Sequence, residues 1–169
     1  MTTTVDSPLS VLPSVDCIRD AVATVDDPEY PGVSIVDLGL LESIEVSRPE
    51  TGRGCLVEVG LVPTFSGCPA LGMIADDVRT AVATVTGVDR AEVRWLGSPA
   101  WTVERISDAG RAAMAREFTV AVRIGPGPVA CPRCGGETTE DSMFGPSRCR
   151  AVHLCPTCSE VVEVMRSEA

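Results

Sequence analysis

Residues 55–85, CLVEVGLVPTFSGCPALGMIADDVRTAVATV, join two different hydrophobic periods across a short turn. Apolar residues occupy alternate positions in residues 55–61, which is typical of a half-buried strand. Beyond the turn, apolar residues recur at the three- and four-residue spacing of an amphipathic helix. They are Leu71, Ile74, Val78, Ala81 or Val82, and Val85. Pro69 suits the first helical position, where its missing N–H costs nothing, so Cys68 is predicted at the N-cap.

The segments on either side extend this strand and helix into a small α+β domain. Ser14 can cap a helix whose apolar face runs through Val25. Residues 44–46 alternate like a strand, and the Pro and Gly of residues 48–54 predict the turn of a hairpin. Residues 91–95 alternate again after the second helix. The order helix, hairpin, helix, strand predicts helices on one face of a sheet.

The rest of the chain divides it into two units. A short helix fits residues 107–118, whereas residues 119–124 fit either a strand or an extended arm. Gly and Pro make residues 125–130 a linker. We therefore expect an α+β domain over residues 10–124 and a small β module over residues 131–165.

Two Cys-x-x-Cys pairs mark the second unit. Cys131 and Cys134 form the first pair, Cys155 and Cys158 form the second, and 20 residues lie between them. Each pair can form a knuckle that turns both thiolates toward one ion. The spacing predicts a zinc-ribbon-like module with four cysteine ligands, and its folding energy comes from the metal because so few residues bury little core. A redox Cys-x-x-Cys would need only one pair.

Two further residues of this unit stand outside that ligand set. On an extended strand, Cys149 lies about 20 Å from the metal, too far to bind it. His153 is two residues from Cys155 and could replace a ligand, although the set of four cysteines is already complete. The alternative for His153 is an exposed ring on the hairpin surface.

Two interpretations of Cys68 stay open. At a helix start, free backbone N–H groups and the helix dipole lower the pKa of a thiol, which predicts a reactive or metal-handling cysteine. Alternatively, Cys68 is a buried cysteine at the end of a core strand. Asp27, Glu29 and Asp37 fall in loops that can approach the same helix start, or they are solvated turn residues. No histidine lies near Cys68 in sequence, which argues against a Cys-His hydrolase.

Composition argues against several classes of function. The formal charge is −10, and the 14 basic residues are scattered, which disfavours a nucleic-acid partner. No window of about 18 apolar residues predicts a membrane span, and the first ten residues lack the basic and apolar regions of a leader. We expect a cytoplasmic protein whose eight cysteines serve as metal ligands or thiols rather than disulfides.

The motifs DPEYPGVSIVDLGLL (residues 27–41) and PTFSGCPA (residues 63–70) resemble the MIP18/DUF59 family of iron–sulfur maturation factors. With SPAWTVERIS, CPRCG and FGPSRCRAVHLCPTC, they resemble the D (or J) accessory subunits of the ring-1,2-phenylacetyl-CoA epoxidase system over about residues 12–160. The resemblance implies a MIP18/DUF59-like α+β domain followed by a zinc ribbon. It also implies an accessory role in assembling the iron–sulfur or metal centres of the oxygenase, not ring epoxidation itself.

The same resemblance assigns residues and partners. Cys68 is the motif thiol that would handle a transient iron ion or cluster, Asp27 and Glu29 are the acids of the DPE turn, and Asp37 is the acid of the DLG segment. The implied partners are the other subunits of the phenylacetyl-CoA oxygenase, and a homodimer could share one cluster. The chain departs from the family in its tail, VVEVMRSEA, which lacks an aromatic stretch with a further cysteine, and in His153, which replaces an aromatic residue.

Three functions are consistent with these features. The first is a maturation factor that works through Cys68 and docks through the ribbon. The second is an integral, non-catalytic oxygenase component that is needed during turnover, and the third is a scaffold in which Cys68 is dispensable. The chain lacks the Glu-x-x-His pairs of a di-iron bundle and a G-x-G-x-x-G loop after a strand, so catalysis by this chain alone is not expected.

Overall fold

The structure, a computed structural model, describes residues 12–48 and 54–166. The interior of the turn predicted at residues 48–54 lies outside the described residues, as do residues 10 and 11 of the first predicted domain. Within the described part of the chain, no helix has the length and apolar character needed to cross a membrane.

Helix α1 (Val15–Val22) forms where the sequence predicts it. Ser14 is its N-cap, and the side-chain oxygen accepts a hydrogen bond from the N–H of Cys17 at 3.2 Å. The helix ends before Val25, which is nevertheless buried in the core.

Two small sheets follow α1. Strand β1 (Asp26–Asp27) pairs antiparallel with β2 (Tyr30–Ser34) across a tight turn. The predicted hairpin consists of β3 (Leu41–Ser47) and β4 (Leu56–Leu61), and β5 (Arg90–Trp95) adds to β4 in parallel. The strand order is therefore β3-β4-β5.

Helix α2 (Leu71–Ala83) connects the parallel strands β4 and β5. Such a crossover is required because parallel neighbours run in the same direction and cannot be joined by a tight turn. Alternate residues of β4 and one face of α2 form the core, and α1 packs beside α2. Each of these core residues is at most 2% exposed: Val57, Val59, Leu61, Ile74, Val78 and Val82. The predicted α+β class is confirmed.

The third predicted helix, α3 (Asp108–Phe118), also forms. Ser107 is its N-cap, with the side-chain oxygen 2.9 Å from the N–H of Gly110. A short 3-10 turn, Val103–Arg105, precedes it. Helix α3 packs against β2 and against the strand that follows it, so it joins the first unit to the second.

The last sheet has the order β6-β10-β9-β8-β7. Its strands are β6 (Val120–Val122), β7 (Val129–Ala130), β8 (Glu137–Ser142), β9 (Arg150–Leu154) and β10 (Val161–Met165). Strand β6 pairs in parallel with β10, so the segment that fitted either a strand or an arm is a strand.

Two of the residues predicted as a linker, residues 129 and 130, form a strand. Strand β7 belongs to this sheet and pairs with β8, and a strand of two residues is too short to leave a periodic pattern in the sequence. The sheet thus takes strands from both sides of the division predicted between residues 124 and 131. The two predicted domain ranges stay a prediction.

The second unit has a buried cluster of its own, and it also contributes residues to the hydrophobic core of the first unit. Cys149 and Met165 of the second unit belong to the same buried cluster as Tyr30 of the first. The Tyr30 hydroxyl donates to the Met165 sulfur at 3.6 Å. The guanidinium of Arg150, a residue only 7% exposed, lies 5.1 Å from the centre of the Tyr30 ring. These contacts fix the second unit against the β1–β2 turn.

Candidate functional site

The four knuckle cysteines form one compact group of sulfur atoms. Every pair of Sγ atoms among Cys131, Cys134, Cys155 and Cys158 lies within 4.8 Å. The Cys131–Cys158 distance is 3.8 Å and the Cys134–Cys155 distance is 3.5 Å. A tetrahedral ion with metal–sulfur bonds of about 2.3 Å needs sulfur–sulfur edges of about 3.8 Å. The four thiols therefore form a metal-binding group of the expected size.

Both knuckles use the same backbone geometry. The N–H of Gly135 donates to the carbonyl of Cys131 at 2.9 Å, and the N–H of Ser159 donates to the carbonyl of Cys155 at 2.8 Å. Gly135 and Ser159 also share a left-handed backbone, with φ of 75° and 60°. This turn lets both thiols of each pair face the same point. Glycine adopts it without strain, whereas serine does not.

Two of the four thiols have pKa values that are shifted in opposite directions. Burial opposes ionisation of Cys155, but hydrogen bonds from the N–H of Cys158 and from the Cys134 thiol lower the pKa of Cys155 to about 6. The N–H of Glu160 favours the Cys158 thiolate, but hydrogen bonding to Cys134, burial and hydrogen bonding to Cys155 raise the pKa of Cys158 to about 12. The thiolate form is thus favoured at Cys155 and disfavoured at Cys158. A bound cation would stabilise all four thiolates.

Cys149 and His153 lie away from this group. Among the described residues, the metal-binding group contains the four knuckle cysteines and neither of these two. His153 is 4% exposed, its Nδ1 lies 2.9 Å from the Thr138 hydroxyl, and burial lowers its pKa. The expectation of an exposed ring is therefore wrong. Strand β9 lies between β8 and β10 and turns the His153 ring toward the sheet interior.

A separate cavity of about 320 Å³ lies between the two units. Asp27 and Glu29 line it from the β1–β2 turn, and Cys68 lines it from the loop that leads into α2. The opposite wall is residues 144–149, the segment that enters β9. This segment contributes a second thiol, that of Cys149. Three of the four residues predicted for the thiol site are thus in one cavity.

Cys68 does not cap helix α2, contrary to the prediction. The N-cap is Ala70, and Cys68 lies in the preceding turn, where its N–H donates to the carbonyl of Phe65 at 3.1 Å. Pro69 therefore belongs to a turn rather than to the first turn of the helix. The Cys68 side chain is half-buried.

The expected lowering of the Cys68 pKa is also wrong. Burial raises the pKa of the Cys68 thiol, and the N–H of Ala70 opposes that effect only in part. The negative charges of Glu29 and Asp27 raise this pKa further. The thiol therefore meets a negative environment, where a cation would favour its ionisation.

The two acids of the β1–β2 turn are held in different ways. The Asp27 carboxylate accepts a hydrogen bond from the N–H of Glu29 at 2.8 Å, and burial raises the Asp27 pKa. The Glu29 carboxylate forms an ion pair with Arg150, with 2.6 Å between Oε2 and Nη2. Arg150 also favours the charged form of Asp27, but it pairs directly with Glu29, which connects the cavity to β9.

Asp37 is not among the residues that line the cavity. Its carboxylate accepts a hydrogen bond from the Ser107 hydroxyl at 2.5 Å, and its carbonyl accepts one from the Ser107 N–H at 2.8 Å. Ser107 is the N-cap of α3. Asp37 therefore anchors the start of α3 in this structure.

Sequence reasoning missed Cys149 as a residue that lines the cavity, and Arg150 as the ion-pair partner of the cavity residue Glu29. The sequence contains one indication that Cys149 has a role: it lies in a unit rich in cysteine, and the two knuckle pairs do not include it. The sequence contains no such indication for Arg150, because an arginine at the start of a strand is common. Its role depends on packing against Tyr30 and Glu29, which lie about 120 residues earlier in the chain.

Both units match described protein families. The family described as iron-sulfur cluster assembly protein matches residues 16–95, which include Asp27, Glu29 and Cys68. The family described as PaaD zinc beta ribbon domain matches residues 117–166, which include all four knuckle cysteines.

Curated relatives share the first unit or most of the chain. A protein of Escherichia coli (strain K12), named as a subunit of 1,2-phenylacetyl-CoA epoxidase, is 32% identical over 156 residues, covering 88% of this chain and 90% of that protein. The Fe-S protein maturation auxiliary factor YitW of Bacillus subtilis (strain 168) is 34% identical over 57% of this chain and 89% of its own. The Fe-S protein maturation auxiliary factor SufT of Staphylococcus aureus (strain USA300) is 34% identical over 53% of this chain and 96% of its own.

A solved structure matches the first unit as well. The domain of unknown function DUF59 from Bacillus anthracis superposes with a TM-score of 0.50 at 31% identity, covering 60% of this chain and 91% of that one.

Proposed function

The chain belongs to the iron–sulfur cluster assembly protein (MIP18/DUF59) family and carries a PaaD zinc beta ribbon domain, and from this premise we propose that it is an accessory factor in the assembly of iron–sulfur or metal centres. Iron, alone or in a cluster, is its cargo and not a resident cofactor. The observation that carries this proposal is the cavity in which Cys68 meets Asp27 and Glu29. It combines a soft sulfur donor with hard oxygen donors, a set that can accept iron.

The state of the Cys68 thiol suits transfer better than storage. Its pKa is raised by burial and by nearby negative charges, so the empty site holds a protonated thiol at neutral pH. An arriving iron cation would displace that proton, and a client with more thiolates would then compete for the iron. Asp27 and Glu29 would shape the site and offer oxygen atoms. Asp37 would act indirectly, by anchoring α3 through Ser107.

The ribbon would hold zinc through Cys131, Cys134, Cys155 and Cys158. The support is the compact tetrahedral grouping of the four sulfur atoms. Zinc would stabilise both knuckles and, through β9, the wall of the cavity. In this proposal the ribbon also docks on the client, and the protein acts in the cytoplasm, where thiols stay reduced.

The client we propose is another subunit of a phenylacetyl-CoA oxygenase system. The support is the Escherichia coli relative named as a subunit of 1,2-phenylacetyl-CoA epoxidase, which this chain matches over 90% of its length. The protein would supply or repair the metal centre of that client and take no part in ring epoxidation.

The test is to produce the oxygenase subunits with and without this protein and to measure iron and sulfide in each. Subunits made in its absence should be metal-poor, and those made with Cys68→Ala should be equally poor. Cys17→Ala is the matched control, because Cys17 is an exposed thiol on α1 outside the cavity. Fully loaded subunits should turn over phenylacetyl-CoA without this protein. A requirement for it during turnover of loaded subunits would favour an integral component of the oxygenase instead.

A further inference from the structure

Cys149 is a thiol that the ribbon metal does not explain. It is 7% exposed, lies outside the four-cysteine group, and has its sulfur 3.1 Å from the Ser147 hydroxyl. It lines the same cavity as Cys68, from the opposite wall.

The residues on both sides of Cys149 attach it to the first unit. The guanidinium of Arg148 lies 5.7 Å from the centre of the Phe65 ring. Phe65 belongs to the loop that carries Cys68. Arg150 pairs with Glu29, in the turn that carries the acids, and also donates to Ser147 at 2.9 Å. The Cys149 backbone is thus held between two contacts to the two segments that form the opposite wall.

The cavity has room for more than a single solvent molecule. Its volume of about 320 Å³ exceeds the ~30 Å³ that one water occupies in the liquid. The rings of Phe65 and Phe144 form part of the wall, and Phe144 itself is 62% exposed. A thiol lines this space from each side, so a centre placed in it would have two sulfur donors in its walls.

We propose that Cys149 is the second thiol ligand of the cargo site, so that one chain holds iron between Cys68 and Cys149. This inference rests on the proposed function and specifies its ligand set. On binding, each thiol loses its proton to solvent and forms one iron–sulfur bond, and the oxidation state of iron does not change. The cargo is either a single ferrous ion or one edge of an iron–sulfur cluster, and in both cases two thiolates bind iron. A second chain is then not needed to complete the site.

The test uses the full, zinc-loaded chain under anaerobic conditions, with either ferrous iron alone or ferrous iron plus sulfide as the probe. Four proteins are compared: wild type, Cys68→Ala, Cys149→Ser and Cys17→Ala. Iron and zinc per chain are measured together with the oligomeric mass. Sulfide content and the visible spectrum distinguish a cluster from a single ion. Zinc content and the far-ultraviolet spectrum report whether each variant is folded.

We expect wild type and Cys17→Ala to bind one iron centre per monomer beyond the zinc. Loss of an outer partner of a metal ligand alone costs about 10–100-fold in affinity, so loss of either thiol should weaken iron binding by at least that factor. Cys149→Ser keeps the size of the side chain, and zinc retention there would separate loss of a ligand from loss of the fold.

Three outcomes would overturn this assignment. If Cys149→Ser binds iron like wild type while Cys68→Ala does not, Cys149 is no ligand and the proposed function stands. If wild type binds iron only as a dimer with half a centre per chain, two Cys68 residues share the cargo. If neither variant loses iron, both this inference and the proposed role of Cys68 fail. If Cys149→Ser does not fold, cobalt titration of the wild-type protein replaces this comparison. The intensity of sulfur-to-cobalt absorption reports how many thiolates bind the ion in the cavity. An intensity that corresponds to one thiolate would exclude Cys149 as the second ligand.

Discussion

Arg150, at the start of β9, pairs with Glu29 in the turn between β1 and β2, with 2.6 Å between the Nη2 and Oε2 atoms. The same guanidinium pairs with Glu163 on β10 and lies over the Tyr30 ring. One buried cation thus connects the acids of the cavity to two neighbouring strands of the ribbon.

Arg150→Ala should lower the free energy of unfolding by about 2–3 kcal/mol, because it leaves partly buried carboxylates without their charged hydrogen-bond partner. Arg94→Ala is the control. Arg94 pairs with Glu58 at the surface with 66% of its side chain exposed, and such a pair contributes about 0–1 kcal/mol. Urea unfolding of both variants gives the comparison, and equal losses would show that the Arg150 contacts add no stability.

Cys155→Ser should lose both the ribbon metal and the structure of the β8–β10 region, since Cys155 is one of the four grouped thiols and is fully buried. Cys149→Ser should keep one zinc per chain. Metal analysis with far-ultraviolet circular dichroism checks both. Zinc lost from Cys149→Ser and kept by Cys155→Ser would show that the ligand set is wrong.

The paired knuckles predict opposite effects of two small substitutions. Ser159 has a left-handed backbone with φ of 60°, so Ser159→Gly should stabilise the zinc-bound protein by up to about 1 kcal/mol. Gly135→Ala should destabilise it by about 1–2 kcal/mol, because Gly135 has φ of 75°, a backbone conformation that is strained for alanine. The space around Gly135 is open, so a clash of the added methyl group does not contribute to this cost. Thermal unfolding of the two variants measures the difference, and changes of the same sign would refute it.

Cys68 should alkylate slowly at neutral pH, with a midpoint above the value of about 8.5 of a free thiol, because burial and negative charges raise its pKa. Glu29→Gln and Asp27→Asn each remove one negative charge and should move the midpoint down. Glu29→Gln should have the larger effect, since it also frees the positive charge of Arg150. The measurement is the alkylation rate of each cysteine peptide over a pH series on zinc-loaded protein.

Cys17 serves as the exposed reference thiol in the same samples. A Cys68 midpoint below that of Cys17 would restore the hypothesis that a helix start activates this thiol.

Asp27 and Asp37 should respond differently to substitution. The pKa of Asp27 is raised above 3.8 by burial, so its contribution to stability is full below that value and is lost as the pH rises through the raised pKa. Asp27→Asn should therefore raise the melting temperature at pH 7, by no more than about 2–4 °C, and by less at pH 5. Asp37→Ala should lower stability by about 1–2 kcal/mol, because it removes the acceptor of the Ser107 hydroxyl.

The alkylation rate of Cys68 separates the two acids further. It should rise in Asp27→Asn and stay unchanged in Asp37→Ala, since Asp37 does not line the cavity. A changed rate in Asp37→Ala would mean that the α3 anchor controls the thiol.

Much of the fold follows from local patterns in the sequence. The alternation in residues 55–61 and the helical spacing after Leu71 predicted β4 and α2, and knuckle spacing predicted the group of four thiols. These features depend on near neighbours in the chain. The start of α2 did not follow, because Pro69 fits a preceding turn as well as a first helical residue.

The cavity could be predicted only in part. Proximity of Asp27 and Glu29 to Cys68 was expected from their loop positions. The ribbon wall was not, because Cys149 reaches the cavity through tertiary contacts of Arg148 and Arg150 that leave no periodic signal. A strand of two residues, such as β7, is likewise too short to show a hydrophobic period in the sequence.

The parallel pairing of β6 with β10 has a consequence for the order of events during synthesis. Residues 120–122 must wait for residues 163–165 before they gain their strand partner. Glu163, which pairs with Arg150, arrives in the same segment. The wall that carries Cys149 therefore closes late, after the ribosome has passed β10, and a nascent chain would present Cys68 without it. If Cys68 and Cys149 bind iron together as proposed, iron loading would be restricted to chains that have already completed the ribbon.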